Sequence, residues 1–262
     1  MNKHMKIIIG LVLLATCNFL FAQTYQINFE HGSEKTQIPT VFWSKPNSKV
    51  VLIFIPGGSG SFGITKKIDP KPSWLLAELF NSTNSSIDIV FMDSQFSLQG
   101  DVGDSYTRWA ARRELVHIER IKTVINFYKV MTSKPIFLIG HSNGSLSITE
   151  FLNQSSDHQQ LISGVILSGS RNETELKQKI SLPVLILHHK SDPNRWTTPS
   201  AAENFFLRVQ QRSSSITELH WVVGGKDVTW GDPTYTGRHM YNEALGEAAK
   251  NIQQFLEKVN AN

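Results

Sequence analysis

Short apolar runs rich in β-branched residues recur along the chain, separated by stretches with helical periodicity. The runs are VVLIFIP at 50–56, IDIVFMD at 87–93, PIFLIG at 135–140, GVILSG at 164–169, LPVLILHH at 182–189 and ELHWVVG at 218–224. Continuous runs of this length are what strands buried on both faces look like. Ahead of them, 24–45 reads as a hairpin of two more strands around HGSE. Between the runs, Leu115, Ile118, Ile121, Ile125 and Tyr128 mark one helical stripe, and Tyr241, Leu245, Ala248, Ile252, Phe255 and Val259 mark another. A third helix is expected to start within TTPSAAENFF, with Pro199 in its first turn and Ser200 and Glu203 spaced as a capping box. This alternation predicts an α/β fold with a mostly parallel central sheet of about eight strands and helices on both faces. NSTNSS at 81–86 is a loop, and no internal repeat is visible. The stretch between Gly169 and Leu182 is too short to hold an inserted lid domain, so the site should be open.

At 262 residues and 40% hydrophobic content, the chain suits one α/β domain, spanning 23–262. The first 22 residues read differently: Lys3 and Lys6, an apolar run from Ile7 to Leu14, and a small residue at Ala22 form a secretory signal peptide. Cleavage is expected after Ala22. The apolar run is broken at Thr16 to Asn18 and is too short to span a bilayer, which disfavours a membrane anchor. A lipoprotein reading of LATC is weaker, because Thr16 fits poorly and apolar residues follow Cys17. Cys17 is the only cysteine, so the mature chain is expected to have no disulfide, thiol nucleophile or cysteine-ligated metal. The formal charge of +4 falls when the leader removes two lysines and no acid, which does not suggest a nucleic-acid binder. A secreted or periplasmic protein is expected, with no stable membrane span once mature.

The stretch GHSNG places Ser142 between Gly140 and Gly144, after a buried-type strand and before a helix that carries Ile148, Phe151 and Leu152 on one face. A serine on a tight strand-to-helix turn needs small residues two before and two after it, and such a turn aims the next N–H, that of Asn143, at an oxyanion. By these residues the chain resembles the α/β-hydrolase family, over nearly all of its mature length. The resemblance implies a triad ordered serine, acid, histidine, with the last two in loops after later strands. Asp192, in the loop after LPVLILHH, is the first choice for the acid, and Asp227 and Asp232 in GGKDVTWGDP are its competitors. His239 is the only histidine beyond the last strand and is the candidate base. The elbow is expected to turn His141 away from the serine. His188 and His189 are adjacent on a strand and so are expected to point to opposite faces, and a shared metal is not expected. His117 and His220 are expected to be structural.

In PGGSGSFGITKK, Gly58 and Gly63 have the spacing of a phosphate loop, but Ile64 and Thr65 stand where it needs Lys-Ser/Thr, which argues against a nucleotide site. Ser59 loosely mimics an elbow serine but lacks a following helix. The resemblance gives this loop another role: the family's early glycine loop supplies a backbone N–H to the oxyanion, and by that match the donor is Gly58. Such a donor is typically worth about 3 kcal/mol of transition-state stabilisation. Phe62, Trp196 and Trp230 lie in loops near the site and are candidate substrate-binding residues. The expected activity is a serine hydrolase that cleaves a small-molecule ester through an acyl-enzyme, with no cofactor and no metal. A peptidase or amidase, a lipase-like enzyme and a non-catalytic binder with a hydrolase fold are the alternatives.

Overall fold

The computed structural model describes residues 22–63, 74–82, 86–94, 97–98, 107–227 and 237–260. Eight strands form one sheet: β1 (Ala22–His31), β2 (Glu34–Trp43), β3 (Val50–Ile55), β4 (Ile87–Met92), β5 (Ile136–His141), β6 (Gly164–Ser168), β7 (Val184–His189) and β8 (Thr217–Val222). Their order is β1-β2-β4-β3-β5-β6-β7-β8. The first two form the expected hairpin, turning at Gly32 with φ +59°, and β2 also runs antiparallel to β4. All other neighbours are parallel. Of the strands that read as apolar runs, β3 to β7 are buried along their whole length, but β8, read the same way, is only half-buried because it lies at the edge of the sheet.

Helices cover both faces. α1 (Trp74–Asn81) and α5 (Leu245–Asn260) enclose one apolar layer, which includes Leu75, Leu79, Ile252 and Phe255. α2 (Leu115–Thr132), α3 (Asn143–Gln154) and α4 (Pro199–Arg212) enclose the other, which includes Ile121, Ile148, Phe151 and Phe205. Two helix boundaries differ from the pattern reading. Pro199 is the first helical residue of α4, so the cap is Thr198, whose hydroxyl accepts the Ala201 N–H at 3.3 Å, and Ser200 already lies inside the helix. Tyr241 is fully buried but sits in a turn before α5 at φ +57°. On α2, Ile118, Ile121, Ile125 and Tyr128 are buried as the stripe requires, but Leu115, the first residue of the helix, is 46% exposed.

The strand order fixes where a site can form. β3 is flanked by β4 on one side and β5 on the other: the chain crosses from β3 to β4 and then back past β3 to β5, so the strand order reverses there. In open sheets a ligand site commonly forms at the carboxyl ends of the strands where the order reverses. The β3 loop carries Gly58, and β5 ends at the GHSNG turn.

Candidate active site

Ser142 links β5 to α3 at φ +54°, ψ −118°, a conformation that is costly for any residue with a Cβ. The neighbouring backbone forces it. A Cβ on Gly140 would lie 2.4 Å from the Gly144 carbonyl oxygen, and one on Gly144 would lie 2.0 Å from the Ile55 carbonyl oxygen. The two glycines therefore allow β5, α3 and the end of β3 to meet at the serine. Gly57 completes the contact, since a Cβ there would approach His141 O at 2.8 Å and Ser142 Cβ at 3.0 Å. The β3 loop thus lies against the turn. Gly58, at φ +54°, accepts a hydrogen bond on its carbonyl from Asn143 Nδ2 at 3.2 Å. The Asn143 N–H belongs to the first turn of α3, whose amides have no acceptor within the helix.

Asp192 and His239 meet at the same edge. His239 Nδ1 lies 2.8 Å from Asp192 Oδ2, and both side chains are almost completely buried. The Thr197 hydroxyl donates to the same carboxylate oxygen at 2.8 Å and lies 3.1 Å from His239 Nδ1. The Asn194 N–H donates to Asp192 Oδ1 at 2.9 Å. Burial alone would raise the Asp192 pKa, but the hydrogen bond and charge of His239, helped by His188 and the Asn194 amide, outweigh it and hold the carboxyl below its usual range. An ionised Asp192 accepts a hydrogen bond from Nδ1, which leaves Nε2 as the ring nitrogen turned away from the carboxylate.

Below the histidine, Tyr241 anchors the loop. Its hydroxyl donates to Leu187 O at 2.9 Å and lies 2.8 Å from Ser168 Oγ. These contacts tie the positive-φ turn around 241 to the ends of β6 and β7. The His141 ring packs 4.9 Å from the His239 ring, and its Nδ1 lies 3.0 Å from Ser168 Oγ. A Cβ on Gly169 would touch both rings. His141 therefore packs between the serine turn and His239, a position the sequence reading did not give it. Burial, then the charges of His239 and His188, keep its pKa well below the ordinary imidazole value. The Ser142 hydroxyl makes no hydrogen bond among the described residues, His239 included. Nucleophile–base bonds are commonly long without substrate and tighten once it binds.

The remaining candidates separate cleanly. Asp227 pairs with Arg238 at 3.2 Å, whereas the carboxylate bonded to His239 is that of Asp192; Asp232 and Trp230 lie outside the described residues. His188 Nε2 bonds the Thr197 carbonyl oxygen at 2.9 Å and stands 3.5 Å from Asp192, whereas His189 Nε2 reaches Gly224 O on the opposite side. Burial brings His188 down to about 4 against the pull of Asp192, so it is neutral. His117 is buried against Ser147, and His220 pairs with Glu218 on β8. Phe62 is 53% exposed; its N–H is held by Asp93 Oδ1 at 2.7 Å and its ring meets Phe91 edge-on. Trp196 is half-buried and stacks against Arg171 and Arg195. Among the described residues no helix is long and apolar enough to cross a membrane.

The chain resembles several solved structures over nearly its whole length. A serine hydrolase without a lid from Xanthomonas campestris superposes with a TM-score of 0.58 at 10% identity, over 92% of this chain and 97% of that one. The fold is that of the α/β-hydrolases. An esterase from Pyrococcus furiosus shares this α/β-hydrolase fold at TM-score 0.59 and 11% identity, over 91% and 93% of the two chains. A dienelactone hydrolase from Anabaena variabilis does so at 0.58 and 13%, over 90% and 98%. Neither a protein-family model nor a curated protein matches the chain. At these identities the likeness carries the α/β-hydrolase fold and no particular chemistry.

Proposed function

We propose that the protein is a secreted serine hydrolase that cleaves carboxylic esters through an acyl-enzyme. The reading rests on one observation: His239 Nδ1 is bonded to a buried Asp192 at 2.8 Å, at the sheet edge where Ser142 stands on a glycine-flanked positive-φ turn. In this mechanism Ser142 Oγ attacks the ester carbonyl carbon and its proton passes to His239 Nε2. The carbonyl oxygen becomes an oxyanion held by the N–H groups of Gly58 and Asn143. Collapse breaks the bond to the leaving alcohol, which takes the proton from His239. Water, deprotonated by His239, then attacks the acyl-serine; the acid leaves and Ser142 is restored. Asp192 orients the imidazole and stabilises its charged form, and the cycle needs no cofactor. The esterases among the structural neighbours are consistent with an ester substrate, and the basic, apolar leader supports export with cleavage after Ala22.

The experiment is labelling with a fluorophosphonate together with hydrolysis of p-nitrophenyl esters, comparing wild type with Ser142→Ala and His239→Ala. Wild type should label once and turn over, and both variants should lose turnover, with Ser142→Ala also losing the label. Equal labelling of wild type and Ser142→Ala would remove the nucleophile.

A further inference from the structure

The mechanism above leaves one buried charge unused. Arg112 closes a short 3-10 turn (Thr107–Arg112) ahead of α2, and its side chain is fully buried. Arginine is almost never buried this way without an ionic partner. Yet no carboxylate among the described residues lies within 4 Å of it. Its hydrogen bonds go elsewhere: the two hydrogens of Nη2 are shared among the carbonyls of Pro56 at 3.0 Å, Gly57 at 3.3 Å and Gly58 at 3.0 Å, the Gly57 carbonyl also accepting the Gly60 N–H at 3.1 Å, and Nη1 donates to Ser147 Oγ at 2.9 Å. Nε has no partner among the described residues. Burial, then the nearby charge of Arg171, lowers the Arg112 pKa to about 9, which leaves it charged at neutral pH.

Ser147 shows how this cation is held. Its hydroxyl also lies 2.9 Å from His117 Nε2. Burial, reinforced by the charges of Arg112 and Arg120, pushes His117 down to about 3, so the ring is neutral. Arginine only donates, so Ser147 accepts from Arg112 while its hydroxyl also stays within hydrogen-bond distance of His117 Nε2. The side chain is fixed at one end by a serine–histidine pair and at the other by three consecutive backbone carbonyls.

Desolvating a charge is expensive, and an apolar side chain of the same volume would fill this space at lower cost. What the guanidinium supplies is direction. In a trans peptide the C=O and the following N–H point opposite ways, and among the described residues every peptide is trans. Carbonyls of Pro56, Gly57 and Gly58 turned toward Arg112 therefore turn the N–H groups of Gly57, Gly58 and Ser59 away from it. The N–H groups of Gly58 and Ser59 have no acceptor among the described residues. The serine turn packs directly on this loop, with a Gly57 Cβ position 3.0 Å from Ser142 Cβ and 3.6 Å from Asn143 N.

We infer that Arg112 is a positioning residue for ester hydrolysis: by gripping three consecutive carbonyls of the 56–58 loop it aims the Gly58 N–H at the oxyanion and places an unneutralised positive charge behind it. This rests on the proposed Ser142 mechanism. Such a charge, in a dry setting, adds to the field that stabilises negative charge on the substrate oxygen.

The test uses the mature protein with Arg112→Lys, which keeps the charge without the fork, and Arg112→Met, which keeps the volume alone. Three readouts are compared with wild type: kcat and KM on p-nitrophenyl esters, affinity for a trifluoromethyl ketone whose hemiketal oxygen mimics the oxyanion, and the pKa of that hemiketal followed by ¹⁹F resonance. We expect kcat to fall about 10²-fold or more in Arg112→Met, the scale of losing one oxyanion donor, with KM nearly unchanged. Ketone affinity should fall in parallel and the hemiketal pKa should rise, with Arg112→Lys intermediate. A folded Arg112→Lys or Arg112→Met with wild-type hemiketal pKa, or with KM and kcat altered together, overturns the assignment. An Arg112→Lys chain that does not fold overturns it as well, because the arginine is then a scaffold element and not a tuner of the loop. Wild type that neither labels with fluorophosphonate nor binds the ketone instead removes the enzymatic reading on which this assignment stands.

Discussion

The two halves of the site are built on different principles. On the serine side, backbone meets backbone: Gly140, Gly144 and Gly57 let three segments approach to distances that no Cβ would permit, and Ser142 holds a strained dihedral because the turn has no other course. Around Asp192 and His239, side chains do the holding. Asp192 gathers the imidazole, a hydroxyl and an amide, and Tyr241 ties the histidine loop down through its phenol. The first half should therefore be intolerant of added volume and the second intolerant of lost hydrogen bonds.

The largest expected effect is Asp192→Asn. It keeps shape but presents an amide to His239 Nδ1 and so favours the wrong tautomer; kcat should fall about 10⁴-fold while the urea midpoint moves little. A loss under tenfold would show that Asp192 does not set the tautomer. Gly144→Ala is the reverse test. Its Cβ meets the Ile55 carbonyl, a backbone atom that cannot swing aside, and stability should fall by about 3 kcal/mol or more. Denaturant unfolding of that variant would refute the steric account if it matched wild type.

The third test concerns acid. His117, His141 and His188 are neutral when folded, with pKa values pushed below the ordinary imidazole value, His117 to about 3 and His188 to about 4. Between about pH 6.5 and about 4 the unfolded chain binds protons that the folded chain refuses, so stability must fall as pH falls, by about 1.4 kcal/mol per pH unit for each histidine. Urea midpoints measured from pH 7 to pH 5 should show this slope, and a flat profile would mean that the buried histidines take protons in place. The smallest effect belongs to Tyr241→Phe, which removes the phenol bonds to Leu187 O and Ser168 and should cost about 1–2 kcal/mol of stability. Any accompanying fall in kcat measures how far the loop anchor matters to the base.

The serine side was more legible in the sequence than its partner. A close approach of backbones writes itself as glycines at fixed spacing, so GHSNG announces both strand and helix. The pairing of Asp192 with His239 was readable only from their places after strands, and nothing local separated Asp192 from Asp227; which of them meets His239 depends on which loop reaches it across the sheet edge. Thr197, His141 and Arg112 left no signal, because each acts through contacts with residues distant in sequence. The α4 cap was written in the sequence but easily misread: a proline in the first helical position puts the cap one residue earlier, at Thr198. Tyr241 fits the period of α5 and yet lies outside it, since periodicity does not register a residue that breaks into positive φ.

The connection from β6 to β7 has a consequence for how specificity is set in this molecule. It buries Leu176 and Ile180 in the apolar layer, offers the Leu176 carbonyl to Arg212, and is laced to α3 by Asn153 and to the short turn after it by Gln159. A segment clamped at so many points cannot act as a hinged cover. Evolution or an engineer who wanted to retune substrate choice on this flank would have to redraw a wall, not adjust a door.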